Sequence, residues 1–510
     1  MGKDIKYIWQ LMGLARIFAR HDALFVFELL GMPKIVTLFA RPFRKHQSKK
    51  LRPGQRLAEA LQEAGATYIK LGQQLSTRSD LLGEEVCEDL RILQDNLPAF
   101  PFEKAKAVIE EDFGCPLEQI FSHFNEEAVA AASIAQVHYA TTTDGKEVAV
   151  KILRPHVIEE SEKAFKLYGW AAHKVERQKP EFRRFKPVET IETFRRTMLL
   201  EMNLANEAAA CDRFYREFKD DAQFSVPYVD WQRTSEKVMV MERINAIRLS
   251  DKEAVLAAGI DVDVVMKNAA YGLFKQAFVH GFFHADLHPG NLFVKPNGKL
   301  IAVDFGLVGY LDERLRRLLA HFLVAVLEKD WQKAAKLHFD LGWVDEEHST
   351  EELARVLSGV VSPIMDRSQD EISIGQLLSR VIKATSFFQM EARPELLLLE
   401  KAMFAAEGTG RYLNPSVNLW LLSREPMEAW MHKNLGPKAQ AKYAIEELIG
   451  EAKRMPRILQ RLEARLDENT IAPKTYPQLQ PKCNLFGFIL GLIFGSSVTV
   501  ALLYIWLYGF

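Results

Sequence analysis

Three side chains between His280 and Gly306 have the types and spacing for phosphoryl transfer. The stretch reads H-G-F-F-H-A-D-L-H-P-G-N, then an apolar run with a Pro-Asn-Gly turn, then V-D-F-G. Asp286 and Asn291 stand five residues apart, and Asp304 follows thirteen residues after Asn291. In a kinase-type reaction one carboxylate, here Asp286, orients or deprotonates the acceptor. An amide oxygen and a second carboxylate, here Asn291 and Asp304, hold Mg²⁺ against the phosphates of ATP. A polar loop with an unrelated D-F-G after it is the plain alternative. Either piece alone is weak, and the joint spacing is what favours the chemistry.

Such a reaction also needs a cation and a cradle for the phosphates. Upstream, Ala130, Ala131, Ala132, Ser133, Ile134, Ala135, Gln136, Val137 and His138 read as a strand running to a Thr-Thr-Asp-Gly turn. A second strand follows and ends in V-A-V-K, which would set Lys151 on the nucleotide phosphates. A plain hairpin with a surface lysine is the alternative. Kinase cradles are glycine-rich because amides wrap a phosphate through φ > 0, which alanine disfavours. The cradle at 130–138 must therefore have another geometry, with nucleotide preference left open.

Two helices are predicted next, roughly 156–179 and 188–218, and the second carries the acid that would position Lys151. The candidates are Glu201 and Glu207 in L-L-E-M-N-L-A-N-E-A. On one helix this separation leaves them about 120° apart, too far to share a partner. Glu207 is assigned to Lys151, and Glu201 to another cation. Lys237–Ile244 reads as a buried strand entering a polar hinge, where backbone groups near Glu242 and Ile244 would meet an adenine edge.

The elements around these motifs set limits. A chain of 510 residues exceeds a single core, and 66 basic against 67 acidic side chains argue against a nucleic-acid partner. Cys87, Cys115, Cys211 and Cys483 form no C-x-x-C, which fits reduced thiols in a cytosolic setting. The first 58 residues hold twelve Lys/Arg against three acids. A basic amphipathic helix lying on an anionic membrane and a helix packed on the body with a solvated basic face both fit. Residues 55 to about 125 read as helical, with a break at Pro98 and Pro101. Gly72 within them costs about 1 kcal/mol against alanine unless a neighbour approaches closely. Beyond Gly306 the pattern is helical to about residue 470, with no A-P-E, which argues against a peptide-docking platform.

No charged side chain follows Lys482. The apolar stretch 484–508 would extend roughly 37 Å as a helix, one tilted membrane crossing. Lys474 and Lys482 before it would keep the body cytoplasmic. Gly487, Gly491 and Gly495 fit either a homodimer through this helix or plain helix flexibility.

Taken together, these residues resemble the UbiB, or aarF-domain-containing, atypical kinase-like family. The carriers are the K-x-G-Q signature at Lys70, Gly72 and Gln73, the Ala-rich A-A-A-S-I-A-Q-V-H loop, V-A-V-K, H-A-D-L-H-P-G-N and D-F-G, across roughly residues 55–310. The resemblance implies an α+β, protein-kinase-like bilobal fold with an N-terminal helical extension and a C-terminal transmembrane helix. The expected parts are a basic segment (1–58), the extension (59–125), a sheet lobe with a helical insertion (126–245), a helical lobe (246–435), a helical region with a Pro-rich linker (436–482) and the anchor (483–510).

It further implies that Lys70 lies where a protein substrate would dock, beside the glutamate of an E-x-D motif, which gives Glu201 its cation. That motif here reads Glu201-Met202-Asn203, so no role needing negative charge at residue 203 carries over. Adenine nucleotide with Mg²⁺, kinase or ATPase activity, and support of ubiquinone biosynthesis at the inner (cytoplasmic) membrane are implied too. Membrane lipid, ubiquinone precursors and other ubiquinone-biosynthesis enzymes would be the partners. Small-molecule or lipid kinases share the H-x-D-L-H-x-G-N loop but lack K-x-G-Q. A non-catalytic lipid-binding scaffold need not keep the whole phosphate and metal set. His284 is expected to support the loop, and His288 stands where protein kinases carry lysine.

Overall fold

Alternation in the strand that carries V-A-V-K, which continues to Leu153, sets the architecture. Val148, Val150 and Ile152 turn to one face and Ala149, Lys151 and Leu153 to the other, the two-residue period of a sheet. The structure, a computed structural model, describes residues 2–29, 34–44, 51–76, 82–90, 92–93, 98–178, 183, 186–340, 343–345, 347–365, 373–388, 390, 393–415, 422 and 430. The chain divides after Gly436 into two units. The Pro-rich linker, the 484–508 stretch and its glycine stripe lie outside the described residues. Among the described residues no helix is long and apolar enough to cross a membrane.

Among the described residues the chain opens with the α-helices α1 (Gly2–Arg20), α2 (Phe25–Leu29), α3 (Lys34–Ala40), α4 (Pro53–Ala64), α5 (Ala66–Leu75) and α6 (Glu84–Leu90). α1 buries Leu11, Ala15, Phe18 and Ala19 in a cluster with Leu57 and Leu61 of α4 and with Leu167 and Val175 further on. Its apolar face is thus packed on the body, while Trp9 stays exposed. Gly72 in α5 meets the condition set by its cost: a Cβ there would overlap Leu93 Cδ1 and Leu61 Cδ1.

α7 (Phe102–Phe113) and α8 (Leu117–Ile120) lead into β1 (Phe121–Phe124), β2 (Ala130–Ala131), β3 (Ala135–Thr142) and β4 (Glu147–Leu153). Among the described residues, α9 (Val157–Gln178), α10 (Pro187–Glu201) and α11 (Leu204–Phe218) precede β5 (Phe224–Ser225) and β6 (Val238–Glu242). The antiparallel order is β1-β3-β4-β6, with β2 on β3. α7 covers one face, where Ala105 and Ile109 meet Val148, Val150 and Ile152.

The single helix expected over 188–218 is two. Asn203 leaves helical geometry (φ −112, ψ 100), and its Oδ1 accepts the Ala205 N–H at 3.0 Å as the N-cap of α11. Asparagine and aspartate cap about equally well, so an amide at this position keeps the cap. The angular argument for Glu201 and Glu207 does not apply across the break.

β7 (Ile247–Arg248), α12 (Lys252–Ala257) and α13 (Val262–Phe274) follow, and a π-helical turn, Lys275–His280, extends α13. Gly281 ends that turn at φ +66, where a Cβ would also strike the Leu311 carbonyl oxygen. Only glycine fits there, and it delivers the chain into β8 (Phe282–His284). β9 (Leu292–Val294) and β10 (Leu300–Ala302) form the hairpin inside a sheet ordered β5-β10-β9-β7, while β11 (Val308–Tyr310) pairs with β8. The expected helices therefore begin only after β11: α14 (Glu313–Leu327), α15 (Trp331–Asp340), α16 (Thr350–Met365), α17 (Ile374–Thr385) and α18 (Pro394–Leu413).

Candidate active site

β4 and α11 set the cation. Lys151 leaves β4 on the face away from α7, and its Nζ donates to Glu207 Oε1 at 2.6 Å and Oε2 at 2.8 Å. Asp304 Oδ1 lies 3.4 Å from the same nitrogen. The side chains of Lys151 and Glu207 are 12% and 6% exposed, whereas half of Asp304 remains open. Burial would lower the Lys151 pKa, but Asp304 and Glu207 outweigh it and the value rises. Burial raises that of Glu207 against the pull of Lys151. Lys151 drives Asp304 down to about 2, with burial opposing and the charge of Lys70 assisting.

Asp304 sits at φ +63, in the left-handed region. A non-glycine residue there is strained, and aspartate tolerates it better than most. Phe305 is buried beside Phe214 of α11, with ring centroids 5.1 Å apart, and His284, 5.3 Å apart. The helix that carries Glu207 thus also seats the D-F-G phenylalanine.

The loop after β8 is held by its histidines. His284 is fully buried, its Nδ1 accepts the Asp286 N–H at 3.0 Å, and its Nε2 then donates to the Val303 carbonyl at 3.0 Å. That assignment of the ring proton follows from the partners, and burial lowers the pKa, which favours the neutral ring. His288 Nδ1 accepts the Gly290 N–H at 3.1 Å. Asn291 Nδ2 donates to the Asp286 carbonyl at 3.2 Å, which leaves its Oδ1 to face elsewhere.

Among the described residues no three or more His, Cys, Asp or Glu side chains could hold a metal by themselves. Asn291 Oδ1 and Asp304 Oδ2 are hard oxygen donors without a hydrogen-bond partner among the described residues. That pair fits Mg²⁺, which takes one or two protein oxygens and completes its octahedron with phosphate and water.

The Ala-rich segment divides between two faces. Val137 lies opposite Lys151 and Ala130 opposite Val137, so both share the face of the lysine. Gln136 lies opposite Ile152, His138 opposite Val150 and Ala131 opposite Gln136, on the other face. The expectation that Gln136 and His138 line a nucleotide is corrected by this register. Gln136 Oε1 accepts the Phe100 N–H at 2.9 Å, and His138 Nδ1 bonds the Asn125 carbonyl at 2.8 Å. Between the strands, Ala132 N–H closes onto the Ala135 carbonyl at 2.8 Å, Ser133 is buried, and the Ile134 carbonyl takes the Arg154 N–H at 2.8 Å. At the hinge the Glu242 N–H is already spent on the Tyr228 carbonyl at 2.8 Å, so only its carbonyl could meet a base. The Ile244 N–H has no partner among the described residues.

The extension reaches the same place. Lys70 Nζ of α5 lies 3.4 Å from Glu201 Oε2 at the end of α10. Gln73 Nε2 donates to the Leu93 carbonyl at 3.0 Å, so Gly72 and Gln73 both serve the packing of the segment at Leu93. Two residues at the site were missed in the sequence. Arg154 clamps the Ala132 carbonyl through Nε at 3.0 Å and Nη2 at 2.9 Å, and its place three residues after Lys151 was the available signal. Lys401 Nζ lies 3.3 Å from Asp286 Oδ2, and nothing local in the sequence points to it.

A sheet-borne lysine clamped by a helical glutamate, a D-F-G aspartate and a His-supported loop define the atypical kinase-like class. The chain matches the ABC1 atypical kinase-like domain over residues 92–338 and the UbiB helical domain over residues 357–418. It is 35% identical to the "Probable protein kinase UbiB" of Marinobacter nauticus, over 88% of this chain and 84% of that one. With the protein of the same name from Cellvibrio japonicus the identity is 34%, over 96% and 92%. The chain belongs to the UbiB family of atypical kinase-like proteins. A solved structure, the Rv3197–erythromycin complex from Mycobacterium tuberculosis, aligns with TM-score 0.46 and 24% identity over 70% of this chain and 90% of that one.

Proposed function

We propose that this chain is a membrane-anchored, Mg-ATP-dependent atypical kinase or ATPase serving ubiquinone biosynthesis. The observation that carries this reading is Lys151 Nζ 2.6 Å from Glu207 and 3.4 Å from Asp304, with Asn291 bonded to the Asp286 carbonyl and, through its own carbonyl, to the Val303 N–H beside Asp304. Burying the Lys151–Glu207 pair carries a desolvation cost, which a role in holding phosphate accounts for. A scaffold that only bound lipid would have no use for that pair.

In the transfer, the bond from the γ-phosphorus to the β–γ bridging oxygen breaks with its electron pair leaving on ADP, and an acceptor oxygen bonds to phosphorus. Lys151 neutralises the phosphates, and Glu207 fixes its position. Asp286 orients the acceptor and takes its proton, on a backbone braced by His284 and Asn291. Mg²⁺ held by Asn291 and Asp304 would supply charge neutralisation at the transferred phosphate. The Ile244 amide is the donor left at the hinge for an adenine edge.

The acceptor remains water, a lipid or a protein by this chemistry. The Lys70–Glu201 pair close to Asp304 favours an acceptor smaller than a folded protein. The stretch 484–508, preceded by Lys474 and Lys482, supports anchoring at the inner (cytoplasmic) membrane with the body on the cytoplasmic side. Asp286→Asn tests the reading. It is expected to bind Mg-ATP like the wild type, to stop turnover, and to fail in restoring ubiquinone to a strain lacking this protein. Normal ubiquinone content with Asp286→Asn would hand the function to a non-catalytic scaffold.

A further inference from the structure

Helix α18 touches the catalytic loop at two points. Lys401 Nζ lies 3.3 Å from Asp286 Oδ2, with the two side chains 48% and 35% exposed. Thr409 Oγ1 donates to the Leu287 carbonyl at 2.9 Å. Eight residues, roughly two helical turns, separate these contacts, so one flank of the helix addresses the loop. Leu396, Leu399 and Ala402 of α18 are buried with Phe283 and Ala285 at the start of that loop. Core packing therefore fixes the approach of Lys401, which is not the case for a chance surface ion pair.

The loop His284–Asn291 itself carries no lysine or arginine. Two residues after Asp286 stands His288, and its Nδ1 is committed to the Gly290 N–H. The ring serves the turn and offers no ammonium to a phosphate. Lys151 is held by Glu207 and Asp304. Lys401 is long, flexible and partly exposed, with one carboxylate contact to give up.

We propose that Lys401 is the cation that faces the terminal phosphate of the bound nucleotide, supplied by α18 where the loop itself carries none. Without nucleotide it rests on Asp286. With a nucleoside triphosphate bound it turns to the terminal phosphate and leaves Asp286 free for the acceptor. The inference rests on the phosphoryl-transfer reading and adds to it a means of telling a triphosphate from a diphosphate, since only the triphosphate places charge within reach of Lys401.

Mg-ATP and Mg-ADP affinities of the full-length chain test this, with Lys401→Met and Lys401→Arg compared to wild type. Lys401→Met is expected to weaken Mg-ATP by about tenfold, the scale of one charged contact, and to leave Mg-ADP unchanged. Lys401→Arg is expected to recover most of the preference for ATP. The ratio of the two affinities is internal to folded protein, so a loss of stability does not move it. Equal weakening of both nucleotides, no change in either, or the same ratio for Met and Arg would overturn the assignment. Wild type that bound neither nucleotide would instead overturn the phosphoryl-transfer reading beneath it.

Discussion

Two lysine–glutamate pairs stand near Asp304, and they are built differently. Lys151 and Glu207 meet through both carboxylate oxygens at 2.6 and 2.8 Å, almost out of water, between the middle of a strand and the first turns of a capped helix. Lys70 and Glu201 make one contact at 3.4 Å, each side chain close to a fifth exposed, at the last residue of α10. Burying a pair is costly and is recovered only when the geometry is close and stays so. A looser pair at a helix end contributes little and separates easily. The same two side-chain types thus do opposite work: the first is a fixture of the site, and the second is a latch that holds the extension against it.

Substitutions should separate the two roles. The largest effect is expected from Asp304→Asn, which removes both the charged donor proposed for the metal and the second acid on Lys151. Titration calorimetry should show Mg-ATP affinity lower by about a hundredfold or more. Wild-type affinity would mean that the metal is held elsewhere. Lys151→Met leaves Glu207 buried without its cation and should cost about 3–5 kcal/mol of stability in urea unfolding. Glu201→Gln should cost less than about 1 kcal/mol while raising the protease sensitivity of the segment around α5. If Glu201→Gln cost as much as Lys151→Met, the distinction between fixture and latch would collapse.

What the sequence revealed follows from where charge sits. Asp286, Asn291 and Asp304 are legible because a short hairpin fixes their spacing, and Lys151 because the strand after the Thr-Thr-Asp-Gly turn carries V-A-V-K. Gly72 was readable as a cost needing a close neighbour, and Leu61 and Leu93 are those neighbours. The break at Met202–Asn203 was not read, because a capping asparagine inside a helical pattern looks like one more polar position. Two partners for Glu201 and Glu207 were expected from a helix angle, and the two partners exist, but the reason is that the glutamates stand on separate helices. Placing Gln136 and His138 at the nucleotide treats the whole 130–138 stretch as one cradle, without asking which face of the strand each residue takes. Once the strand begins at Ala135, alternation alone turns both to the far face. Lys401 depends on tertiary packing, and no local pattern encodes it.

The bond from Thr409 to Leu287 spans 122 residues, and that span has a meaning in time. A ribosome will have delivered every residue of H-A-D-L-H-P-G-N and D-F-G long before it adds α18. Until then the Leu287 carbonyl lacks its side-chain donor, and Asp286 has no ammonium beside it. Among the described residues α18 is a late-synthesised segment that bonds this loop, so the loop's bracing is completed well after the motif itself has appeared.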